Sequence, residues 1–295
     1  TIALPIIIGA LVMPTMNTID LALVMRRLVS AGFTHAEANT MYAQLTGIAA
    51  TLINLPQVIT SAIAISLVPV ISSAYAVNDI KRTRENTNLA IRVSLLIGLP
   101  CAVGLFVLAT PIIGLLYPNE PASVGGILAI MAIGVVFLSL IQSFTSVLQG
   151  MGKAHIPVFN LFVGAAVKFV LTYVLTALPS LNVKGAAIST VVAYVVAAVL
   201  DYFSVKKYLG LKFSVNDFLF RPLITAGIMG IIARVTYVLT VPFVGNSIST
   251  LLAVAVGGVV YVVTLFLTKT ITREDLQSLP KGKNIIGKLE KMKLM

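Results

Sequence analysis

Charged residues are scarce in this sequence. Only 11% of its 295 residues are Asp, Glu, Lys or Arg, whereas soluble domains carry about a quarter. Hydrophobic residues make up 58% of the chain, and a soluble domain of this length would need far more polar surface to cover them. The composition excludes a water-soluble globule and predicts an integral membrane protein.

Residues that carry enzyme chemistry are also few. The single cysteine, Cys101, excludes an intrachain disulfide and a cysteine-based zinc site. The two histidines, His35 and His155, fall in predicted connections on opposite sides of the membrane, with neither an acidic pair nor an HExxH spacing. The sequence also lacks a glycine-rich phosphate loop. We therefore predict that the chain is not an enzyme and has no catalytic residues, no metal and no cofactor.

Long apolar segments dominate what is present. A helix needs about 20 apolar residues to cross about 30 Å of hydrocarbon. The sequence has eight such segments, at 2–29, 43–75, 91–116, 125–149, 157–178, 185–205, 222–243 and 247–268. They are apolar on all sides, whereas the strands of a membrane barrel would alternate in short blocks. We predict an all-α integral membrane protein with eight transmembrane helices.

The basic residues are distributed unevenly between the two sides of the membrane. The net charge is +11, and 16 of the 21 Lys and Arg residues lie in the tail or in connections on the side of Thr1, against three on the other side. Because basic loops stay in the cytoplasm, both ends of this segment are predicted to be cytoplasmic. Anionic membrane lipids, and not nucleic acid, are the expected partners of these charges.

The two ends of the sequence give further expectations. Thr1 opens directly on membrane-type sequence without the basic n-region of a signal peptide, and we expect the chain to be a piece of a longer protein. At the other end, residues 269–295 are predicted to form a basic amphipathic helix on the cytoplasmic membrane surface.

Ionisable residues inside the apolar segments are the candidates for function, because a charge at the bilayer centre is costly. Counting along the helices places Lys168 about 16 Å and Arg234 about 18 Å from the cytoplasmic side, near the midplane. Asp20 falls about 27 Å along its helix, near the outer face, and Asp201 falls near the inner face. By depth, the two cations are expected to lack an acidic partner, which predicts a cavity that receives an anion. The alternative is that Lys168 snorkels along its neighbours and Arg234 bonds to carbonyls of kinked helices.

Two further patterns concern the faces of single helices. Arg26 and Arg27 follow Asp20, and Arg27, seven residues on, shares its face near the outer mouth. This is either part of a substrate path or an interfacial anchor. On the sixth helix, small residues recur every fourth position and predict a close contact with another helix: Gly185, Ser189, Ala193 and Ala197. The next step, Asp201, is expected to reach headgroup water.

Three stretches carry a resemblance to a known family. They read LPIIIGALVMPTMNTIDLALVMRRL in the first helix, LINLPQVITSAIAISLVPVISSAYAVND in the second and SVLQGMGKAHIPV before the fifth. They resemble the polysaccharide-biosynthesis exporters related to stage V sporulation protein B and the MurJ lipid II flippases, of the multidrug/oligosaccharidyl-lipid/polysaccharide exporter superfamily. The similarity runs along the whole chain but covers only the C-terminal half of the family.

The resemblance implies a fold and a function. It implies a MATE/MurJ-like C-terminal six-helix lobe at 1–205, two additional transmembrane helices at 206–268 and the cytoplasmic tail at 269–295. It also implies a missing N-terminal lobe of the same protein and a location in the bacterial cytoplasmic membrane. The implied activity is the flipping of lipid II or another undecaprenyl-pyrophosphate-linked oligosaccharide by alternating access. Cavity cations would hold the pyrophosphate, and the groove of the extra pair would hold the lipid tail.

Two other functions stay open at this stage. A drug/cation antiporter of the same superfamily would need carboxylates near mid-membrane, where this sequence is predicted to place Lys168 and Arg234. A membrane-embedded cell-envelope assembly enzyme or subunit would need acids or histidines in its loops. The outer loops, YPNEPASVGG and LPSLNVKG, are short and poor in acids, which favours transport.

Overall fold

A computed structural model describes residues 20–211 and 220–268 of the chain. Within these ranges the structure is helical and contains no strand. The described residues separate into two compact units, 20–211 and 220–268, and each is considered by itself. The predicted amphipathic tail, 269–295, and the first part of the first helix, 2–19, lie outside the described residues.

The first unit consists of helices joined by short connections. Helix α1 covers 20–30 in the described part of the chain. The following elements are α2 (His35–Ala43), a π-helix (Gln44–Ala49), α3 (Ala50–Ala76), α4 (Ile80–Val107), α5 (Ala109–Leu116), α6 (Ser123–Gly150), α7 (His155–Leu175) and α8 (Val183–Leu209).

The second unit contains α9 (Arg221–Leu267), which consists of two helical arms meeting at Gly245. Gly245 has φ 75° and ψ 175°, a backbone conformation that is accessible to glycine and strained for other residues. The arms pack closely, since a Cβ added at Gly257 would lie 3.2 Å from the Cβ of Ala233. The break falls between the two spans predicted at 222–243 and 247–268.

Six helical stretches of the described chain are long and apolar enough to cross a membrane. One of them, His35–Ala76, is continuous over 42 residues, and the 47 residues of α9 contain two predicted spans. The third predicted span, 91–116, covers the later part of α4 and the short α5. The predicted all-helical membrane fold is confirmed.

Helix α6 is the centre of the first unit. It packs against α3, α4 and α8, and α7 packs on α8. The core is made of buried aliphatic side chains, among them Leu128 and Val135 of α6 and Ile53 of α3. Large apolar side chains also cover the outer surface, and Phe159 and Phe162 of α7 are 66% and 61% exposed. Such exposure fits a surface in contact with lipid hydrocarbon.

The small-residue stripe on α8 lies at close helix contacts, as predicted. A Cβ at Gly185 would lie 2.6 Å from the carbonyl oxygen of Leu175 at the end of α7. Further along, a Cβ at Gly164 of α7 would lie 2.9 Å from the carbonyl oxygen of Ala193. Backbones can approach this closely only where the side chains are small.

Candidate functional site

Helices α1 and α7 are joined by an ion pair inside the apolar part of the first unit. The Lys168 ammonium donates to Oδ2 of Asp20. Both side chains are only partly buried, at 14% exposure for Lys168 and 16% for Asp20. Because neither charge is sealed in the protein, the pair remains accessible from the space beside it.

This ion pair corrects the expectation that Lys168 lacks an acidic partner. A second contact explains the error: Nε of Arg27 donates to the carbonyl oxygen of Tyr173 at 2.8 Å. Asp20 and Lys168 are 148 positions apart in sequence, and Arg27 and Tyr173 are 146 positions apart. Because the two separations are nearly equal, α1 and α7 run parallel with these residues side by side. Asp20 therefore lies level with Lys168. The predicted depths were counted from the apparent starts of two apolar segments, and those starts are not level.

The C-terminal part of α1 is tied to α7 by Arg27. Its guanidinium also lies 4.1 Å from the centroid of the Tyr173 ring, a distance typical of a cation–π contact. Arg26 next to it is exposed. Asp20 and Arg27 thus lie on the face of α1 that contacts α7, whereas Arg26 lies on an exposed face of α1.

A cavity of about 340 Å³ opens beside the ion pair. Its wall contains both charges, several hydroxyl or amide side chains and a larger apolar area. The lining residues are Asp20, Val24, Tyr42, Leu45, Thr46, Ala50, Ile53, Asn54, Met131, Lys168, Ala186, Thr190 and Tyr194. A concave wall that combines apolar side chains with convergent polar groups is typical of sites for small-molecule ligands.

The π-helix Gln44–Ala49 forms part of this wall through Leu45 and Thr46. π-helical turns are rare and often occur at functional sites. The turn is held to the connection before α6, because Nε2 of Gln44 donates to Oε2 of Glu120 at 2.8 Å.

Sequence reasoning missed these wall residues, although a signal was present. Tyr42 and Thr46 are polar and four positions apart, which places them on one face of a helix. The polar Asn54 follows about two turns later. A polar stripe of this kind at the edge of the predicted 43–75 span indicates a face that lines a cavity.

Arg234 lies in the second unit, on the first arm of α9. Its side chain is exposed, and its guanidinium lies 5.6 Å from the centroid of the Tyr237 ring one turn further on. The Tyr237 hydroxyl donates to Oδ1 of Asn246 at 2.8 Å, across the break at Gly245. The structure therefore places Arg234 beside a hydrogen bond that joins the two arms.

Asp201 is buried, and the expectation that it reaches headgroup water is wrong. Its side chain is 1% exposed, and Nδ2 of Asn160 on α7 donates to its Oδ1 at 2.8 Å. The reason is the small-residue stripe: α7 and α8 approach so closely that the next residue on the same face is covered by α7.

We expect Asn160→Leu to lower the free energy of unfolding by about 1–3 kcal/mol, because it leaves a buried carboxyl group without its donor. Thermal unfolding in detergent measures the change. The double variant Asn160→Leu/Asp201→Leu removes both partners and should regain much of the loss. A single variant as stable as the wild type, or a double variant less stable than the single, would contradict this role.

Comparison with known proteins places the chain in a family. Residues 11–253 match the family model described as lipid II flippase MurJ. The chain belongs to the MurJ family of lipid II flippases. Within the described residues of this MurJ-family chain, no group of three or more His, Cys, Asp and Glu side chains could hold a metal ion.

The chain spans about half the length of three curated relatives that it matches. Stage V sporulation protein B of Bacillus subtilis (strain 168) is 28% identical over 270 residues, which is 90% of this MurJ-family chain and 50% of that protein.

Two solved structures share the fold. A lipid II flippase MurJ in an inward closed conformation matches with a TM-score of 0.65 at 21% identity, over 84% of this chain and 50% of that one. An outward-facing multidrug resistance MATE family transporter of the MOP superfamily matches with a TM-score of 0.60 at 14% identity, over 94% of this chain and 66% of that one.

Proposed function

We propose that this chain is the C-terminal part of a flippase that moves an undecaprenyl-pyrophosphate-linked peptidoglycan or polysaccharide precursor to the outer leaflet by alternating access. Membership of the lipid II flippase family supports the class of activity. The main structural support for the proposal is Lys168. Its ammonium is partly exposed in the wall of a cavity, within a bundle of apolar helices. Such a cation suits a pyrophosphate that must cross hydrocarbon.

The remaining parts of the protein have proposed places in this scheme. We propose that α1 to α8 form one lobe, that the arms of α9 are the two additional helices, and that an N-terminal lobe of the same protein completes the cavity. The bias of basic residues supports cytoplasmic locations for both ends of this segment. Arg26, Arg27 and Arg234 are proposed to add positive potential along the path of the lipid, at the outer mouth of the cavity and on α9.

Asp20 bears on the rival function of a drug/cation antiporter. A cationic substrate would need a carboxylate that is available in the cavity, and Asp20 is engaged by Lys168. The pair engages the ammonium and the carboxylate alike, and it places a carboxylate at the depth where an antiporter would need one. The preference for the flippase therefore rests on the match to the lipid II flippase family.

A flipping assay tests the proposal. The protein that carries this chain, with its N-terminal lobe, is reconstituted in vesicles containing fluorescent lipid II, and arrival of the label in the opposite leaflet is followed. We expect transfer faster than in protein-free vesicles. Transfer at the protein-free rate, together with export of a lipophilic cation by the same preparation, would contradict the proposal and support the antiporter.

A further inference from the structure

The Asp20–Lys168 ion pair opens on the cavity and is not sealed in the core. An ammonium has three donors, and Oδ2 of Asp20 accepts one of them. Lys168 and Asp20 keep 14% and 16% of their side-chain surface exposed and both line the cavity. Arg27 also bonds to the backbone of α7, so the ion pair is not the only contact that holds α1 to α7 among the described residues.

We propose that Asp20 is an exchangeable counter-ion of Lys168. On this proposal, which rests on the proposed function, the pyrophosphate of the substrate takes the place of the Asp20 carboxylate on the ammonium, and Asp20 recovers the ammonium when the substrate leaves. The exchange breaks and forms ionic hydrogen bonds only, and no covalent bond changes.

A counter-ion solves two electrostatic problems of such a cavity. A lone ammonium in a low-dielectric wall would be costly in the empty protein, and pairing with Asp20 lowers that cost. The same lone ammonium would hold a pyrophosphate too tightly for release on the far side, since transport requires binding that is favourable but moderate. Asp20 stabilises the empty state and therefore weakens binding of the anion.

The rest of the wall can assist an anion once it has entered. Lys168 is the one cation among the described residues that line the cavity. Asn54 and Tyr194 line the same cavity, and an amide and a phenol hydroxyl can donate hydrogen bonds to phosphate oxygens. Helices α3, α7 and α8 thus each contribute a potential donor.

Binding of undecaprenyl pyrophosphate to the full-length protein in detergent, measured by native mass spectrometry, tests the exchange. Asp20→Asn removes the competing charge with little change of shape, and we expect it to bind about tenfold tighter and to flip more slowly. Glu85→Gln, the same change of charge at an exposed position of α4, should bind as the wild type. Equal or weaker binding by Asp20→Asn would overturn the proposal.

A double variant and a conservative variant complete the design. In the Lys168→Met background the tightening by Asp20→Asn should be clearly smaller, because only direct repulsion between the carboxylate and the anion is then relieved. A tightening as large as in the wild-type background would show that Asp20 does not act through Lys168 and would overturn the proposal. If Asp20→Asn fails to fold, binding of undecaprenyl pyrophosphate is measured for Asp20→Glu instead. Because this variant keeps the competing charge, its affinity should lie within about twofold of the wild-type affinity. Tenfold tighter binding by Asp20→Glu would overturn the proposal.

Failure of the exchange can be distinguished from failure of the proposed function. A wild-type protein that flips lipid II, combined with an Asp20→Asn variant that binds no tighter, overturns the exchange alone. A wild-type protein that binds undecaprenyl pyrophosphate but does not flip lipid II contradicts the function, and the comparison of affinities still decides the exchange. Absence of binding in both wild type and Asp20→Asn overturns the exchange as well.

Discussion

Replacing Lys168 by Met in the full-length protein is expected to slow flipping of lipid II by about 10- to 100-fold, because a hydrogen bond to a charged group contributes about 1.5–3 kcal/mol. The substitution keeps the length of the side chain, removes the cation and leaves the Asp20 carboxylate to repel an anion. Insertion into the membrane should be unchanged or improved, since an apolar residue inserts more easily. The measurement is the flipping rate at matched protein content.

The control for this change is Lys207→Met, at an exposed position near the C-terminal end of α8, which should flip at the wild-type rate. Adding Arg234→Met tests whether the second cation contributes. Wild-type transport by the Lys168→Met/Arg234→Met double variant at normal expression would assign both residues a structural role only.

The second large effect is expected at Gly185, where α8 touches the end of α7. A Cβ there would lie 2.6 Å from the Leu175 carbonyl oxygen and 2.8 Å from the backbone nitrogen of Thr176. Both neighbours are backbone atoms and cannot move aside as a side chain does. We expect Gly185→Ala to lower the free energy of unfolding by about 1–3 kcal/mol, measured as a lower melting temperature in detergent.

Gly258→Ala is the matched control for this substitution. Gly258 also lies in a helix, and nothing lies within 4 Å of its added Cβ. Alanine has the higher helix propensity by about 1 kcal/mol, so this variant should be as stable as the wild type or more stable. If the two variants change the melting temperature equally, the close contact at Gly185 does not limit stability.

The length of the apolar segments and their apolarity on all sides predicted the helices, because hydrocarbon imposes both. A segment that must bury every backbone polar group over about 30 Å has little choice but a helix of about 20 apolar residues. The stripe at Gly185 and Ala193 was predictable for a related reason, since the spacing of small residues alone marks a face where backbones meet. These features are local properties of one helix.

The candidate site depends on relations between helices, which a single sequence does not contain. Asp20 and Lys168 were assigned to different depths because both depths were counted from the starts of apolar segments, and these starts were taken to lie at the same height in the membrane. The actual level is fixed by the register of α1 against α7, set by Arg27 and Tyr173. The burial of Asp201 was missed for the same reason, because it depends on how far α7 extends over α8.

The bond from Arg27 to the backbone of Tyr173 also has a kinetic consequence for the cavity. It holds α1 beside α7 without involving Lys168, so Asp20 stays within reach while the ammonium binds another partner. A tethered group of this kind acts at an effective concentration of about millimolar or more, whatever the composition of the surrounding solution. The residence time of an anion would then depend on the spacing of two helices as well as on the groups that touch the anion.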